Sequence, residues 1–231
     1  MDIIQRQQNI GIVVVGNFDP TKLTPKWLYE LNIITAEEWN GQERNLLVSN
    51  PITKFKFGQI EFLSQPSRIQ LISNDIAESN HLVNMTMNIL NNYGDTDYRA
   101  VGVNAGLLFT FANSDDSLHF GQYLGQLQHM NTFFEDTRLR SVTFENNQQP
   151  TAETPKTSII IQAEDAAEER RRPAENPQDA PENDYVPVCS MQINNHFVVE
   201  TKEQALQVVS RAEVLHNEFR EKAATFFREI Q

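Results

Sequence analysis

The stretch that decides the fold is Thr201 to Gln231, TKEQALQVVSRAEVLHNEFREKAATFFREIQ. Its apolar residues fall at Ala205, Val208, Ala212, Leu215, Phe219, Ala223, Phe226 and Ile230. Steps of three and four place all of them on one helical face. Thr201 and Gln204 have capping-box spacing, which marks the start. The segment therefore reads as one amphipathic helix, longer than most in globular proteins, entered directly from a strand. Such a stripe needs a wide apolar surface to lie on, and the strand-rich segments upstream supply it.

Working back along the chain, Tyr185 to Val199, Lys156 to Gln162 and Phe133 to Glu145 read as strands. Ahead of them stand a long strand, Tyr98 to Phe111, and a short helix, Ser114 to Leu124, with Ser114 as its cap. The first part of the chain has the same order. Ile10 to Phe18 is a β-branched run, and Thr24-Pro25 opens a helix over Lys26 to Asn32 with Trp27, Leu28 and Leu31 on its apolar side. Asn45 to Ser49, Thr53 to Gly58, Gln59 to Ser64 and Arg68 to Ser73 are strands. Their short links, with Asn50-Pro51 and Gln65-Pro66 at turns, imply antiparallel pairing. A helix over Asn80 to Tyr93 carries Leu82, Met85, Ile89 and Tyr93 on one face, and Gly94 stands where a glycine cap belongs.

Both halves can thus be written strand, short helix, several strands, longer helix, with no residue-by-residue identity between them. The expected class is α+β: a large curved antiparallel sheet with the long helices packed on one face. Residues 1–94 and 95–231 would be the two halves, either as separate units or as a single domain. Ala163 to Asp184 stands outside this scheme. Rich in proline and acid and free of aromatics, it is expected to form a mobile hairpin tip between two strands. Arg170, Arg171 and Arg172 within it form a cluster suited to an anionic partner; the same run also reads as a tolerated surface insertion.

Thirty-one acids oppose 19 bases, for a net charge of −12. Eight acids and three arginines lie between Glu164 and Asp184, leaving 23 acids against 16 bases in the body. An acidic body disfavours non-specific binding of nucleic acid, which depends on Lys and Arg releasing counterions. Cys189 is the only cysteine, so an intrachain disulfide and a thiolate metal cluster are excluded. Its apolar strand context suits a buried structural thiol. The opening MDIIQRQQN lacks the basic and apolar regions of a signal peptide, and Ile12 to Val15 is too short to span a bilayer. A soluble cytoplasmic protein is the expectation.

Motifs for covalent chemistry are missing: there is no G-x-S-x-G elbow, no H-E-x-x-H and no EF-hand loop. Gly102 and Gly106 lie inside a strand and are not followed by Lys-Ser/Thr, so they do not form a phosphate loop. They read as permitting a bulge or the close approach of a helix side chain. His119 and His129, with Asp115 and Asp116 nearby, have no spacing known for metal ligands. Neither a metal nor another cofactor is expected. The polar residues that stand out are Asn104, Arg138, Arg140 and His216, with Arg99 near them. Alternation puts Arg138 and Arg140 on the face of Val142 and Phe144, where they would hold a carboxylate or phosphate bidentately; salt bridges to acidic helices would use them equally well. His216 adjoins the apolar stripe and would either titrate near neutral pH or be satisfied by a neighbouring strand.

Several phrases are shared with a known family. The strand around Val101-Gly102-Val103-Asn104, the late strand Val188 to Val199 and the ending VVSRAEVLHNEFREKAATFFREI belong to this set. Asn17-Phe18-Asp19-Pro20 and the helical Leu215, His216 and Phe219 complete it. In these the chain resembles a sporadically distributed family of uncharacterised bacterial proteins. The resemblance implies no reaction, cofactor or assigned site. The family's scattered occurrence is similar to that of mobile defence or toxin–antitoxin cargo.

The expected function is that of a non-catalytic interaction or regulatory subunit of a bacterial assembly, with a protein partner and no membrane. The terminal helix also offers a face for pairing with a second copy. The alternatives are a small-anion or nucleotide sensor, with Asn104, Arg138, Arg140 and His216 in a cleft between sheet and helix, and an enzyme of unrecognised type.

Overall fold

A computed structural model describes residues 3–40, 47–49, 51–111, 114–125, 141–164 and 188–229. The strands are β1 (Ile3–Val15), β2 (Leu47–Ser49), β3 (Ile52–Phe57), β4 (Ile60–Gln65), β5 (Arg68–Ser73), β6 (Ala100–Phe111), β7 (Ser141–Glu145), β8 (Lys156–Glu164) and β9 (Val188–Val198). The helices are α1 (Pro25–Glu30), α2 (Ala36–Asn40), α3 (Ser79–Tyr93), α4 (Ser114–Gly125), α5 (Lys202–Ser210) and α6 (Ala212–Glu229). All described strands join one antiparallel sheet in the order β2-β3-β4-β5-β1-β6-β9-β8-β7. The expected α+β class and large antiparallel sheet are therefore what the chain forms.

The strand order has an internal symmetry. Reading outward from the central β1–β6 pair gives β5, β4, β3, β2 on one side and β9, β8, β7 on the other. In each half the first strand is central and the last lies beside it. The halves written as 1–94 and 95–231 thus share a single sheet. They also share more than element order: Asn9 pairs with Gly106, Ile10 with Ala105 and Gly11 with Asn104. Asn9-Ile10-Gly11 therefore meets Asn104-Ala105-Gly106 head to tail, a short local likeness where the two halves join.

Alternation assigns the two faces of the sheet. Ile10, Ile12 and Val14 of β1 are at most 1% exposed, and Gly11, Val13 and Val15 point the other way. In register with the buried set are Ile69 and Leu71 of β5, Phe55, Phe57 and Phe62 of β3 and β4, and Val101 and Val103 of β6. Helices α3, α5 and α6 pack on this face against β1, β5 and β6 and against one another. Each large apolar side chain fully buried there contributes about 1.5–3 kcal/mol. At one end Phe109 of β6 meets Phe120 of α4 at 5.7 Å and Phe227 of α6 at 4.7 Å between ring centroids. Those rings tie both helices to the central strand.

The carboxy-terminal rod departs from expectation, because it is divided at Arg211 into α5 and α6. The Ser210 hydroxyl donates to the Gln207 carbonyl, and the Arg211 N–H donates to the Val208 carbonyl. Both bonds reach back three residues, so the helix tightens there and the regular ladder stops. The apolar stripe survives the break: Ala205, Val208, Ala212, Phe219 and Ala223 are all buried, with His216 among them. Arg211 itself lies over the Phe197 ring at 5.5 Å and donates to the Glu153 carbonyl at 3.2 Å.

Smaller departures have local causes. Helix α2 arises from a capping box in which the Thr35 hydroxyl accepts from the Glu38 N–H and the Glu38 carboxylate accepts from the Thr35 N–H. Its shortness hides the apolar period. In α1 the Thr24 cap accepts from the Trp27 N–H as expected, Leu28 is buried, and Leu31 is exposed just past its end. Arg138, Arg140, His129, Arg170, Arg171, Arg172 and most of the acidic insert lie outside the described residues. No helix among the described residues is long and apolar enough to cross a membrane.

Candidate functional site

No described element covers the sheet face opposite the helices. Three rows of side chains cross its centre. One row holds Gly11, Asn104, Asn194 and Ser158; the second holds Gln70, Val13, Gly102, His196 and Lys156; the third holds Asn9, Gly106, Gln192 and Ile160. Between them lies a depression of about 370 Å³ lined by Asn9, Gly11, Gln70, Ile72, Asn104, Ser158, Ile160, Gln192 and Asn194. The lining carries carboxamides and no charged group. Further out on the same face, Lys54 pairs with Glu61 at 2.7 Å and Lys156 with Glu145 at 3.1 Å. These half-exposed pairs cancel local charge and add little stability.

Gly11 lines the depression, and Gly102, two residues from Asn104 on β6, lies on the same face outside that lining. A Cβ at Gly102 would meet nothing closer than Asn194 Oδ1 at 3.6 Å, and one at Gly11 nothing closer than the Leu71 carbonyl oxygen at 3.4 Å. Neither residue marks a bulge, and no described helix packs on this face, so among the described residues neither expected reason for glycine at 102 is found. Gly106 is different, since the Asn9 carboxamide occupies the space its Cβ would take, 2.5 Å from Oδ1. Asn104 stands between Gly11 and Gly102, and its Oδ1 is buried without a hydrogen-bond partner. An acceptor left so costs about 1–3 kcal/mol.

His216 lies on the other side of the sheet. It is 1% exposed, and its Nδ1 sits 2.7 Å from the Ser79 hydroxyl, which ties α6 to the start of α3. Nε2 makes no hydrogen bond of ordinary geometry, although the backbone of Gly11 and Asn104 lies near enough to the ring to favour its protonation. Burial pulls its pKa down from 6.5 to about 4, against the opposing pull of the Gly11 and Asn104 backbone and of Glu213. The imidazole is therefore neutral near pH 7. Asn104 and His216 belong to opposite faces, so no cleft between sheet and helix contains both. That corrects the expected four-residue site, two members of which, Arg138 and Arg140, lie outside the described residues.

A serine beside a histidine invites a nucleophile–base reading, yet Ser79 is only 5% exposed and no substrate reaches the pair. Arg99 is exposed and donates from Nε to its neighbour Asp97 at 2.9 Å. His119 is exposed on α4. No group of three or more His, Cys, Asp or Glu suited to a metal ion occurs among the described residues. Cys189 is buried in β9.

What the open face can do is form hydrogen bonds in both directions without charge, because each carboxamide carries an acceptor and two donors. The sequence signal for it is Asn-x-Gly, present once in each central strand. Comparison with protein-family models finds none that matches this chain, and comparison with curated proteins finds no match either.

Proposed function

We propose that the chain is a non-catalytic interaction protein, an accessory or regulatory subunit, that presents the open face of its sheet to a protein partner. One observation carries this reading: opposite the helices lies a concave, uncharged, carboxamide-lined centre with an unpaired buried acceptor, Asn104 Oδ1. Such a centre suits recognition, where hydrogen bonds specify and no bond is made or broken. The setting in bacterial defence or toxin–antitoxin cargo is supported by the resemblance of the terminal helix and the Asn17-Phe18-Asp19-Pro20 phrase alone. The anion-sensor reading loses support, since helices pack directly on the sheet where its cleft would lie.

The test is affinity purification from the native host with three chains: the natural one, Asn194→Lys on the open face and Val214→Lys on the exposed side of α6. A stoichiometric protein should accompany the first and third and be lost from the second. A partner lost only with Val214→Lys, or a natural chain that purifies alone and turns over a substrate, would remove the proposal.

A further inference from the structure

We propose that β7, at one end of the sheet, is the surface through which two copies of this chain pair, strand against strand about a two-fold axis. This goes beyond the reading of the open face and does not rest on it. The described sheet ends in β2 on one side and β7 on the other. β2 has three residues, a length that blunts an edge. β7, Ser141-Val142-Thr143-Phe144-Glu145, has five and pairs with β8 without a bulge. It contains no proline and no lysine, the residues that commonly guard an exposed edge. Its one charge, Glu145, is matched by Lys156 at 3.1 Å.

The hydrogen-bonding direction of β7 follows from the end of its ladder. The Asn146 N–H donates to the Thr157 carbonyl at 3.0 Å, one pair beyond Glu145 and Ser158. Antiparallel pairs alternate, so Phe144 and Val142 also turn their backbone groups towards β8. Ser141, Thr143 and Glu145 turn theirs outward, where no described strand meets them. All three residues are exposed. Such a row of amides and carbonyls is a template for another strand.

A second copy fits the row because the strand is complementary to itself. With the axis at Thr143, that residue faces Thr143 of the second copy, and Ser141 faces the second copy's Glu145. Every outward backbone group then has a partner, and no like charges stand opposite each other. The side chains agree. Val142 and Phe144 lie on the helix side of the sheet, in register with Ile161 and Ile159. Phe144 is nevertheless 48% exposed. In the pair it meets Val142 of the second copy without backbone bonds between them, the closer kind of cross-strand contact, and each copy covers the other's ring. The axis stands perpendicular to the sheet. Both copies thus keep their helices on one side and their open faces on the other.

The test is sedimentation equilibrium of the natural chain, Thr143→Pro, Phe144→Lys and Val214→Lys, with oxidative cross-linking of cysteine variants. The natural chain should be a dimer. Thr143→Pro removes an outward N–H and leaves the bonds to β8 in place, so it should give a monomer with an unchanged far-ultraviolet circular dichroism spectrum. Phe144→Lys alters a side chain alone and should raise the dimer dissociation constant at least about tenfold, because the contact it breaks occurs twice. Val214→Lys, on the exposed side of α6, should stay a dimer. Under mild oxidation Thr143→Cys should link two chains, since hydrogen-bonded partners lie about 5.5 Å apart at Cα. Ser141→Cys should not, its two copies being about 13 Å apart along the strands. Nor should the natural chain, whose Cys189 is buried. A natural chain that stays monomeric at millimolar concentration would overturn the inference. So would a dimer that survives both β7 changes, a dimer lost with Val214→Lys, or cross-linking of Ser141→Cys in place of Thr143→Cys. A monomeric chain that recovers a protein partner rejects this interface and leaves the open face standing. A β7-dependent dimer that recovers none upholds the interface and removes the open-face reading.

Discussion

Gly106 lies opposite Asn9 in the central ladder, and the Asn9 carboxamide oxygen fills the place of its missing side chain, 2.5 Å from where a Cβ would be. Two residues along the same ladder, with the strands exchanged, Gly11 lies opposite Asn104. The same tripeptide pattern, Asn-x-Gly, thus pairs with itself where the two halves meet. Gly106→Ala should push Asn9 aside and cost on the order of 1 kcal/mol. Asn9→Ala should cost almost nothing and should rescue Gly106→Ala, giving a coupling of about the same size in a double-mutant cycle. Urea unfolding of the four chains measures it; strictly additive costs would mean that the two residues do not share the space.

Acid should destabilise the protein through His216. Its pKa is about 4 when folded and 6.5 when unfolded, so the unfolded chain takes up the proton first as pH falls. The contribution is complete above pH 6.5 and is lost progressively as pH falls towards 4, amounting to on the order of 3 kcal/mol. Ser79, the backbone of Gly11 and Asn104, and Glu213 are the polar neighbours of the ring, and together they do not offset its burial. His216→Gln removes this titration. The stability gap between the natural chain and the variant should therefore narrow as pH is lowered, read by denaturant unfolding at several pH values. A gap independent of pH would contradict the burial of a neutral imidazole.

Two buried serines on the helix-covered side should respond in opposite ways. Ser79 holds His216 Nδ1 at 2.7 Å, so Ser79→Ala leaves a buried ring nitrogen unpaired and should cost about 1–3 kcal/mol. Ser64 is equally buried, but its hydroxyl has no partner. Ser64→Ala should be neutral or stabilising, since the chain no longer desolvates that hydroxyl. Thermal unfolding separates the two, and a loss with Ser64→Ala equal to that with Ser79→Ala would reject the distinction.

Phe109→Ala should cost about 3–5 kcal/mol, as expected for a fully buried ring that contacts others on two helices. Phe109 is 1% exposed and meets Phe111, Phe120 and Phe227. Tyr123 on α4 is 59% exposed, and Tyr123→Ala should fall within about 0.5 kcal/mol of the natural chain. Chemical denaturation checks both. A similar loss for both would mean that α4 is held by its outer face.

Much of the fold was legible because its signals are local. Ile10 to Val15 is a β-branched run, Gly94 takes a positive φ of 98° where α3 stops, and Gly58, at +53°, turns β3 into β4. Of the candidate site, Asn104 was legible as a polar residue in an apolar strand, and its meaning was not. Element order makes the halves look alike, while a residue-by-residue comparison along the chain does not. The shared Asn-x-Gly becomes visible once β1 and β6 lie in register, because the Asn of each strand then stands opposite the Gly of the other.

By itself the sequence determined the α+β class, the antiparallel hairpins, the amphipathic face of the terminal segment and the acidic balance, all consequences of period, turn chemistry and composition. The tertiary structure alone decided which side of the sheet each polar residue faces. A side chain on a strand has two faces to choose between, and only the placement of the helix layer says which one is dry. That placement sends His216 into the interior, where burial holds it neutral, and leaves Asn104 on the far side with an acceptor unpaired. It also brings Arg211, at the break between α5 and α6, over the Phe197 ring of β9 and within reach of the Glu153 carbonyl.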